Sequence, residues 1–596
     1  MSHSVTDETA TSVKACRRHF ATAAAFSFAL NVLHLAAPLY MMQVYDRVIS
    51  SGSETTLAML TIVTLGAFAA LAGIDRARTS VLAAASLRLD RLLAGRVFSA
   101  MMSNAVKTGD KHNQALRDLD TCRSFVCGHG MTAMFDLPWL PLYILVIGFG
   151  LHPALGLFAF LCAAVLVAMA VLSEVRVRAL SSQSHARNQA AYTWAEASLR
   201  NAHAVQAMAM MPGLLRRWSR ERSGAVVTQQ QLSERTSAMT ALVRFLRMSM
   251  QSLVLGLGAW LVIERAATPG SIFAASLLLG RALQPIEQII GQWQTLLSAR
   301  TAFNRVRALL ISQPAPDVLL ATSGRQVEGR LIAENVGYSV GNRPEPILEG
   351  INFTIEPGES IGLIGPSGAG KSTLVRMLVG AIAPTQGAIR LGEREISSTL
   401  SPARGSAIGY LPQDIELFAD TIAANISRFE NCSERDISYA AQIAGAHDMI
   451  MRLPQGYATT ISEGGASLSG GMRQRIALAR AVFGQPSLVI LDEPNSNLDS
   501  AGDDALTACI DHLQRQGTTV VMVSHRQAST HKMHKFIVLI DGRLEAFGSR
   551  EEISRQFSNT GNVARPRAEA VARPAATVRP FDVGVARDNA PFAEAP

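Results

Sequence analysis

The sequence predicts an all-α transmembrane domain of six helices followed by an α/β domain. Six apolar segments lie in the first half of the 596-residue chain, each close to the roughly 20 residues that a helix needs to cross a bilayer. Hydrophobic residues make up 48% of the chain and charged residues only 17%, which indicates a membrane part joined to a soluble part. From about residue 328 the sequence changes to short strands, glycine turns and helices, which is typical of an α/β domain.

The six predicted spans are residues 20–42, 55–74, 137–151, 153–172, 248–265 and 269–290. Gly148, Gly150, His152 and Pro153 crowd the turn between the third and fourth spans, so one long bent helix is the alternative there. We favour two spans, because a single span would put the following basic segment on the wrong side of the membrane. The first span runs to about Met42 without a small-residue cleavage site, which predicts a retained helix.

Basic residues set the predicted orientation. Lys14, Arg17 and Arg18 precede span one, and the long segments after spans two and four are rich in arginine. By the positive-inside rule, both long segments and both termini are cytoplasmic. About 30 helical residues reach about 45 Å, so each long segment can leave the membrane as one helix and return as another. The predicted turns are residues 108–110 and 211–213.

Composition divides the chain into five predicted regions. They are a polar, mobile cytoplasmic tail (1–18), the transmembrane domain (19–313), a linker (314–327), the α/β domain (328–555) and a disordered tail (556–596). Arg281 and Glu287 lie within or at the end of span six. Because charge inside a membrane normally faces a cavity or a partner, these two either line a polar path or form a structural pair. The six cysteines show no metal-ligand spacing and are predicted to be ordinary thiols.

One stretch of the α/β domain fits the phosphate-binding pattern G-x-x-x-x-G-K-[ST]. It consists of Gly365, Pro366, Ser367, Gly368, Ala369, Gly370, Lys371, Ser372 and Thr373. A predicted strand precedes it and an amphipathic helix follows, so that backbone N–H groups and the helix N-terminus face one point. Lys371 would then reach the β- and γ-phosphates of a nucleotide, and Ser372 would hold Mg²⁺. A glycine turn without a ligand is the alternative.

Two further predicted strands end in residues suited to the same site. The apolar strand at 488–491 is followed by Asp492, a Mg²⁺ ligand usually acting through water, and by Glu493, which is placed to activate the attacking water as general base. His525 follows the strand at 519–523 and can point at the γ-phosphate. A histidine there is by itself more often structural, but its neighbours favour the functional role.

A second glycine-rich helix start lies at Leu468, Ser469, Gly470 and Gly471. It also suits an anion. Two phosphate-binding loops within one domain are redundant. They become useful if two domains pair head to tail, so that each P-loop faces the other domain's Leu-Ser-Gly-Gly.

Leu-Ser-Gly-Gly together with the P-loop and the Asp-Glu strand resembles the ATP-binding cassette (ABC) proteins, and six spans before one cassette resemble an ABC exporter half-transporter. This resemblance implies a P-loop ABC nucleotide-binding domain that binds ATP and Mg²⁺. By position, it implies that Gln413 is the Q-loop glutamine that touches Mg²⁺, that Asp499 lies in the D-loop and that His525 is the switch histidine. It also implies that Ser469 and Gly471 grip ATP across a dimer, and that the cytoplasmic turns touch the cassette; plain surface loops are the alternative for the turns.

Four stretches are similar to the type I secretion permease/ATPases of the protease and lipase exporter group. They are residues 42–48, 114–120, 135–141 and 413–418, so this resemblance covers about residues 20 to 555. It implies a homodimer in the bacterial inner membrane with its nucleotide domain in the cytoplasm and no nucleic-acid partner. A periplasmic adaptor (membrane fusion protein) and an outer-membrane channel would work with it. The implied substrate is an unfolded protease, lipase or repeat-toxin-like protein with a C-terminal signal.

The chain departs from the family pattern at three points. Met472 stands where the family usually has glutamine, which predicts a weaker polar contact near the ribose. Val340 stands at the position of the adenine-stacking aromatic, with Tyr338 two residues earlier, so we expect loose nucleotide selectivity. Since no peptidase-like domain precedes span one, leader-peptide cleavage is not expected.

The leading hypothesis is ATP-driven export of a protein, with Glu493, His525 and Gln413 as the catalytic residues. An exporter of a lipid or small amphiphile is the alternative; it would open sideways to lipid and work without an adaptor or channel. A third hypothesis is a membrane-bound ATPase with a regulatory or scaffolding task. It predicts ATP hydrolysis uncoupled from transport, and an intact Glu493 beside six spans argues against it.

Overall fold

A computed structural model describes residues 7–108, 114–313, 330–340, 345–396, 406–465, 467–496, 498–524 and 532–559. The chain forms two compact units, Met1–Leu319 and Leu320–Pro596. In the described residues the first unit is all-helical and the second combines β-sheets with helices, so the predicted fold class is confirmed. The predicted features that lie outside the described residues are His525, residues 109–110 of the first turn, the linker at 314–327, and residues 560–596.

The first unit consists of α-helices joined by short π and 3₁₀ segments. They are α1 (Glu8–Ala15), α2 (Arg17–Leu33), α3 (Ala36–Gln43), α4 (Ile49–Ser51), α5 (Glu54–Thr108), α6 (Gln114–Cys127), α7 (His129–Asp136), α8 (Leu140–Leu145), α9 (Pro153–Arg200), α10 (Ala202–Ala207), α11 (Met211–Ile263), α12 (Pro269–Gly291) and α13 (Trp293–Ser312). Helices α5, α9 and α11 have 55, 48 and 53 residues. At 1.5 Å per residue they are about 70–80 Å long, so the segments beyond the spans continue as helix, as predicted.

Five helical segments of the described chain have the length and apolar composition to cross a membrane. They are Arg17–Ser51, Glu54–Val106, His129–Leu151, Pro153–Leu199 and Met211–Ile263. They contain the first four predicted spans and all but the last two residues of the fifth. The predicted sixth span lies in α12, which has 23 residues and is therefore long enough to cross. It contains Arg281, Gln284 and Glu287, and it is not among the five segments that are apolar enough over 18 residues to count as spans.

The first span is interrupted between α2 and α3. Pro38 has no backbone N–H, and its ring clashes with the carbonyl four residues earlier when a helix continues through it. The chain therefore turns at His34 and Leu35 before the helix resumes at Ala36. A π-helical segment, Val44–Val48, follows α3.

The third and fourth spans are two helices, not one bent helix. A π-helical segment ends at Leu151, His152 is extended with φ −162°, and α9 begins at Pro153. The two arms touch backbone to backbone near this turn, because an ideal Cβ on Gly156 would lie 2.4 Å from the Cα atom of Gly148. The absence of side chains at these two glycines is what lets the hairpin close.

The turn predicted at 211–213 is wrong. These residues form the start of α11, where Pro212 occupies one of the first two positions. Proline is accepted there because the N–H groups of the first turn have no partner in the helix. The chain instead reverses through α10, which lies between Asn201 and the loop residues at 208–210.

The N-terminal stretch was expected to be mobile, but its described part contains α1. The carboxylate of Asp7 caps this helix by accepting from Ala10 N at 3.2 Å. Two salt bridges hold α1 and its cap against the helical unit, Glu8 to Arg96 at 2.9 Å and Asp7 to Arg307 at 2.7 Å. All six cysteines are free thiols, as predicted.

The second unit contains two sheets. Its strands are β1 (Leu331–Tyr338), β2 (Leu348–Ile355), β3 (Ser360–Ile364), β4 (Gln386–Leu391), β5 (Arg394–Glu395), β6 (Ile408–Leu411), β7 (Leu488–Asp492), β8 (Thr519–Val523), β9 (Lys535–Ile540) and β10 (Arg543–Ser549). The four-stranded antiparallel sheet has the order β2-β1-β4-β5, and the six-stranded sheet has the order β10-β9-β3-β8-β7-β6. From β9 to β6 all neighbours are parallel.

Helices cover the parallel sheet. They are α14 (Lys371–Leu378), α15 (Ile422–Ile426), α16 (Glu434–Ile443), α17 (His447–Met451), α18 (Gly470–Val482), α19 (Ser500–Arg515) and α20 (Arg550–Asn559). Every residue of β7 and β8 is buried, as expected for a parallel sheet covered on both faces. Because β3, β8, β7 and β6 are parallel neighbours, their carboxyl ends lie along one edge of the sheet.

We predict that Gly156→Ala destabilises the membrane unit. The added methyl group overlaps Gly148, and forced overpacking of this kind costs about 1–3 kcal/mol. The measurement is the thermal unfolding midpoint of the purified protein in detergent. Gly73→Ala in α5 is the matched control, since an ideal Cβ there meets nothing within 4 Å. A Gly156→Ala midpoint equal to that of the control would contradict the close packing of the hairpin.

Candidate nucleotide-binding site

The P-loop joins β3 to α14, and two of its glycines are required by geometry. Gly365 has φ +156°, and an ideal Cβ there would lie 2.2 Å from the carbonyl oxygen of Leu539. Gly370 has φ +93°, and its ideal Cβ would lie 2.6 Å from Leu348 Cδ2. A side chain at either position would collide with its neighbour and would strain the backbone. The glycines therefore allow the loop to curl tightly over the end of β3.

The residues of the P-loop differ in their exposure to solvent. Ala369 is buried beneath the loop, whereas Pro366, Ser367 and Gly368 are exposed at its crest. Ser372 is exposed in the first turn of α14, and Thr373 is half-buried. An exposed hydroxyl beside the first N–H groups of a helix, which have no partner within the helix, suits a phosphate chain.

Lys371 is the first residue of α14 and is only 7% exposed. Its ammonium group donates to the carbonyl oxygens of Gly365, at 2.9 Å, and Pro366, at 2.8 Å. Burial lowers the pKa of Lys371, while the nearby charges of Glu493 and Asp492 oppose this effect. A buried cation held against the inside of the loop is placed to neutralise phosphate charge.

The sheet edge brings three further predicted residues together. Asp492 is the last residue of β7, Glu493 follows it, and Gln413 follows the neighbouring strand β6. The amide Nε2 of Gln413 donates to Glu493 Oε2 at 3.0 Å. Asp492 and Glu493 both act electrostatically on Lys371, so the P-loop lysine belongs to the same cluster. The fourth predicted member, His525, lies outside the described residues.

Asp492 is 5% exposed, and burial raises its pKa. Glu493 raises this pKa further, whereas Arg376 and Lys371 lower it. Burial also raises the pKa of Tyr410 to about 12, with an added contribution from Asp492. A bound cation would relieve the concentration of negative charge at the end of β7.

The donor set at this edge fits Mg²⁺. Ser372 offers a hydroxyl oxygen, Asp492 a carboxylate and Gln413 an amide oxygen. Oxygen donors with one or two carboxylates, completed by water and phosphate oxygens, are the ligands that Mg²⁺ prefers.

The backbone of Glu493 is strained. Its φ is +51°, a left-handed conformation that non-glycine residues adopt only when their surroundings hold them there. Here the N–H of Glu493 donates to the carbonyl oxygen of Val523, the last residue of β8, at 3.1 Å. Neither this conformation nor the bond to Gln413 was foreseen from the sequence. The order of the parallel strands was the missing information.

Two of the Leu-Ser-Gly-Gly residues, Ser469 and Gly471, line a second cavity of about 450 Å³. Ser469 caps α18 by accepting from Met472 N at 3.3 Å, Gly470 begins that helix, and Asp499 caps α19 by accepting from Gly502 N at 2.8 Å. The lining of the cavity is Met449, Arg452, Leu453, Ser469, Gly471, Met472, Arg475 and Asp499. No described P-loop residue lines it. The predicted ATP residues thus form two separate groups.

Three residues bear on the departures from the family pattern. Met472 lines the second cavity, so an apolar side chain stands where the family pattern has an amide. Tyr338 ends β1 and packs against the sheet core, whereas Val340 is 45% exposed. The core therefore holds the aromatic ring, and the residue at the expected stacking position is the exposed valine.

Comparison with known proteins decides the family. Residues 20–285 match the ABC transporter transmembrane region, and residues 348–496 match the ABC transporter domain. Over 562 residues the chain is 37% identical to the type I secretion system ATP-binding protein PrsD of Rhizobium meliloti, covering 94% of this chain and 96% of that protein. The chain belongs to the type I secretion ABC transporters. It is therefore a multi-pass membrane protein and an ATP-hydrolysing transporter.

Other relatives of the transporter are more distant. It is 26% identical to the alpha-hemolysin translocation ATP-binding protein HlyB of Escherichia coli, over 90% of this chain and 76% of that protein. The same values hold for the leukotoxin translocation ATP-binding protein LktB of Mannheimia glucosida. A bacterial Atm1-family ABC exporter solved with ATP bound matches with a TM-score of 0.80 and 21% identity, over 92% of this chain and 99% of that one. That match shows the exporter fold.

We predict that Asp492→Asn stabilises the transporter at neutral pH without nucleotide. Folding raises the pKa of this carboxyl, so the fold disfavours its ionised form, and its contribution to stability is lost as the pH rises through the folded-state pKa. The asparagine should raise the thermal unfolding midpoint at neutral pH, and this gain should shrink when the pH falls toward the ordinary aspartate range. Asp504→Asn, at an exposed position of α19, is the control. A lower midpoint for Asp492→Asn at neutral pH would refute the assigned cause.

Proposed function

We propose that this transporter is the inner-membrane ATPase of a type I secretion system and that it exports an unfolded protein with a C-terminal signal. The similarity to PrsD carries the proposal, because it extends over nearly the whole of both chains and so includes the membrane unit as well as the cassette. The HlyB and LktB relatives, named for translocation of a hemolysin and a leukotoxin, support a protein as the substrate.

In the proposed reaction, Lys371 and the P-loop N–H groups bind the β- and γ-phosphates of ATP. Ser372, Asp492 and Gln413 would hold Mg²⁺, which would supply charge neutralisation at the phosphates. Glu493 orients the attacking water and accepts its proton. The bond from Gln413 to Glu493 Oε2 supports this role, because it fixes the carboxylate beside the P-loop lysine. We place His525 at the γ-phosphate by its position after β8.

The proposal includes a homodimer with two composite ATP sites. The separation of the P-loop group from the Ser469–Asp499 cavity supports it, since each group alone supplies only part of a nucleotide site. Ser469, Gly470, Gly471 and Asp499 would then contact ATP held by the P-loop of the second copy.

The proposed partners are a periplasmic adaptor and an outer-membrane channel. Both follow from the type I secretion family and not from any surface of this chain. We place the membrane unit in the bacterial inner membrane and the cassette in the cytoplasm, following the distribution of basic residues between the spans.

We predict that Glu493→Gln binds ATP but loses hydrolysis. Removal of a general base costs about 10²–10⁴-fold in rate, while the P-loop contacts remain intact. Steady-state ATPase activity and binding of a fluorescent ATP analogue should be measured on the purified protein. Glu545→Gln, at an exposed position of β10, is the matched control. A Glu493→Gln protein that turns over near the parental rate would remove Glu493 from this role.

The export proposal is tested by comparing the proteins in the growth medium of cells with the transporter, without it, and with Lys371→Ala. One protein or a few should disappear from the medium both in the deletion and in Lys371→Ala. They should remain with Lys532→Ala, which changes an exposed lysine of the same unit. An unchanged medium accompanied by a shift in envelope lipids would replace protein export with lipid transport.

A further inference from the structure

A polar cavity of about 290 Å³ lies between α2, α5, α7 and α12 of the membrane unit. Charged and polar side chains dominate its lining, among them His34, Asp75, Arg78, Asp136 and Arg281. Ionisable groups among membrane helices are costly, so they usually pair with each other or face a pathway. The bonding of each group shows which of the two applies.

One wall of the cavity is a hydrogen-bonded network centred on Arg78. Arg78 is 8% exposed, and its guanidinium donates to both carboxylate oxygens of Asp136, at 2.9 and 3.1 Å, and to Asp75 Oδ1 at 2.7 Å. Asn31 donates to Asp136 at 3.1 Å, and the hydroxyl of Tyr143 donates to Asn31 Oδ1 at 2.9 Å. Both carboxylates of the lining are thus bonded to Arg78. The network as a whole connects α2, α5, α7 and α8.

Arg281 is bonded differently. Its guanidinium donates to Gln284 Oε1 at 2.5 Å and contacts His34 Nε2. Among the described residues, no carboxylate lies within salt-bridge distance of it. Glu287 on the same helix is paired with Arg247 at 2.7 Å. The two charged residues of α12 therefore differ: Glu287 forms a structural pair, and Arg281 faces the cavity.

The position of Arg281 makes an uncompensated charge expensive. It lies twelve residues beyond Pro269, or about 18 Å along α12, and so falls inside the predicted sixth span rather than at its start. A guanidinium has five N–H donors in a planar fork that matches a carboxylate. Gln284, His34 and the hydroxyl of Tyr143 are the partners of Arg281 among the described residues. Five donors outnumber these three partners, so donors remain for a group entering the cavity.

We propose that Arg281 is a binding site for the carboxylate groups of the transported polypeptide. The inference rests on the proposed function. An unfolded chain brings two kinds of carboxylate, its aspartate and glutamate side chains and its own terminus. Asp75 and Asp136, which also line the cavity, repel an anion and so limit its affinity. Weak binding is what a transport path requires, because the substrate must also leave.

The test measures peptide binding to the full-length transporter in lipid nanodiscs by fluorescence anisotropy. The probe is a fluorescein-labelled, Gly/Ser-rich peptide with several aspartates and a free C-terminus. A second peptide carries asparagine in place of aspartate, and a third has an amidated C-terminus. We expect the parent protein to bind the probe more tightly than at least one of the altered peptides. A charge-assisted pair supports a preference of about tenfold.

Arg281→Gln should abolish this preference, and Arg281→Lys should retain part of it, because lysine keeps the charge without the planar fork. Arg244→Gln, an exposed arginine on α11 that does not line the cavity, should leave the preference intact. Loss of affinity with the asparagine peptide assigns the site to side chains, and loss with the amidated peptide assigns it to the terminus.

Two results would overturn the site. One is a parent protein that binds all three peptides equally, and the other is an Arg281→Gln protein that keeps the parental preference. If Arg281→Gln lowers the affinity for all three peptides by the same factor, the preference is unchanged, and this outcome also overturns the site. The comparison of growth media does not depend on these peptides. If deletion of the transporter abolishes export while the purified protein shows no preference for carboxylate peptides, the export proposal stands and only this site is removed.

Discussion

Burying charge away from water is the constraint on which both units of this transporter depend. In the cassette, Lys371, Asp492 and Glu493 gather at one sheet edge, where burial lowers the pKa of the lysine and raises that of Asp492. Their mutual attraction offsets part of this cost, and a nucleotide with its cation would offset more. In the membrane unit, Arg78 is buried and bonded to two carboxylates from two helices. In both places the chain keeps charges that a purely structural core would replace with apolar side chains.

The parallel sheet makes the cassette cluster possible. The P-loop, the Asp-Glu pair and Gln413 are far apart in sequence, but each follows a strand whose carboxyl end lies at the same edge. The strands are buried on both faces, so the polar residues can stand only where the strands end. Glu493 adopts a left-handed backbone at such an end, held by its N–H bond to Val523. The rigidity of the sheet therefore supplies the precision that the loops alone lack.

The sequence predicted what depends on neighbouring residues and missed what depends on tertiary contacts. The P-loop was recognisable because glycine, lysine and serine act within one turn. The proline and glycine at 212–213 suggested a turn, but proline equally begins a helix, and α11 starts there. The bond between Gln413 and Glu493 requires β6 to lie beside β7, and the bond between Arg78 and Asp136 requires α5 to lie beside α7. No local pattern encodes either neighbour.

Gln413 shows how one side chain can connect two parts of the proposed reaction. Its amide N–H₂ donates to the carboxylate of Glu493, while its amide oxygen remains available as a ligand for Mg²⁺. An ionised carboxylate could bind the metal but could not donate a hydrogen bond to Glu493. A lysine could donate that hydrogen bond but has no oxygen to offer the metal. An amide at this position therefore allows the proposed general base and the proposed Mg²⁺ ligands to be aligned by the same group. In the proposed reaction, a displacement of the loop after β6 would disturb both contacts of Gln413, so hydrolysis would depend on the position of that loop.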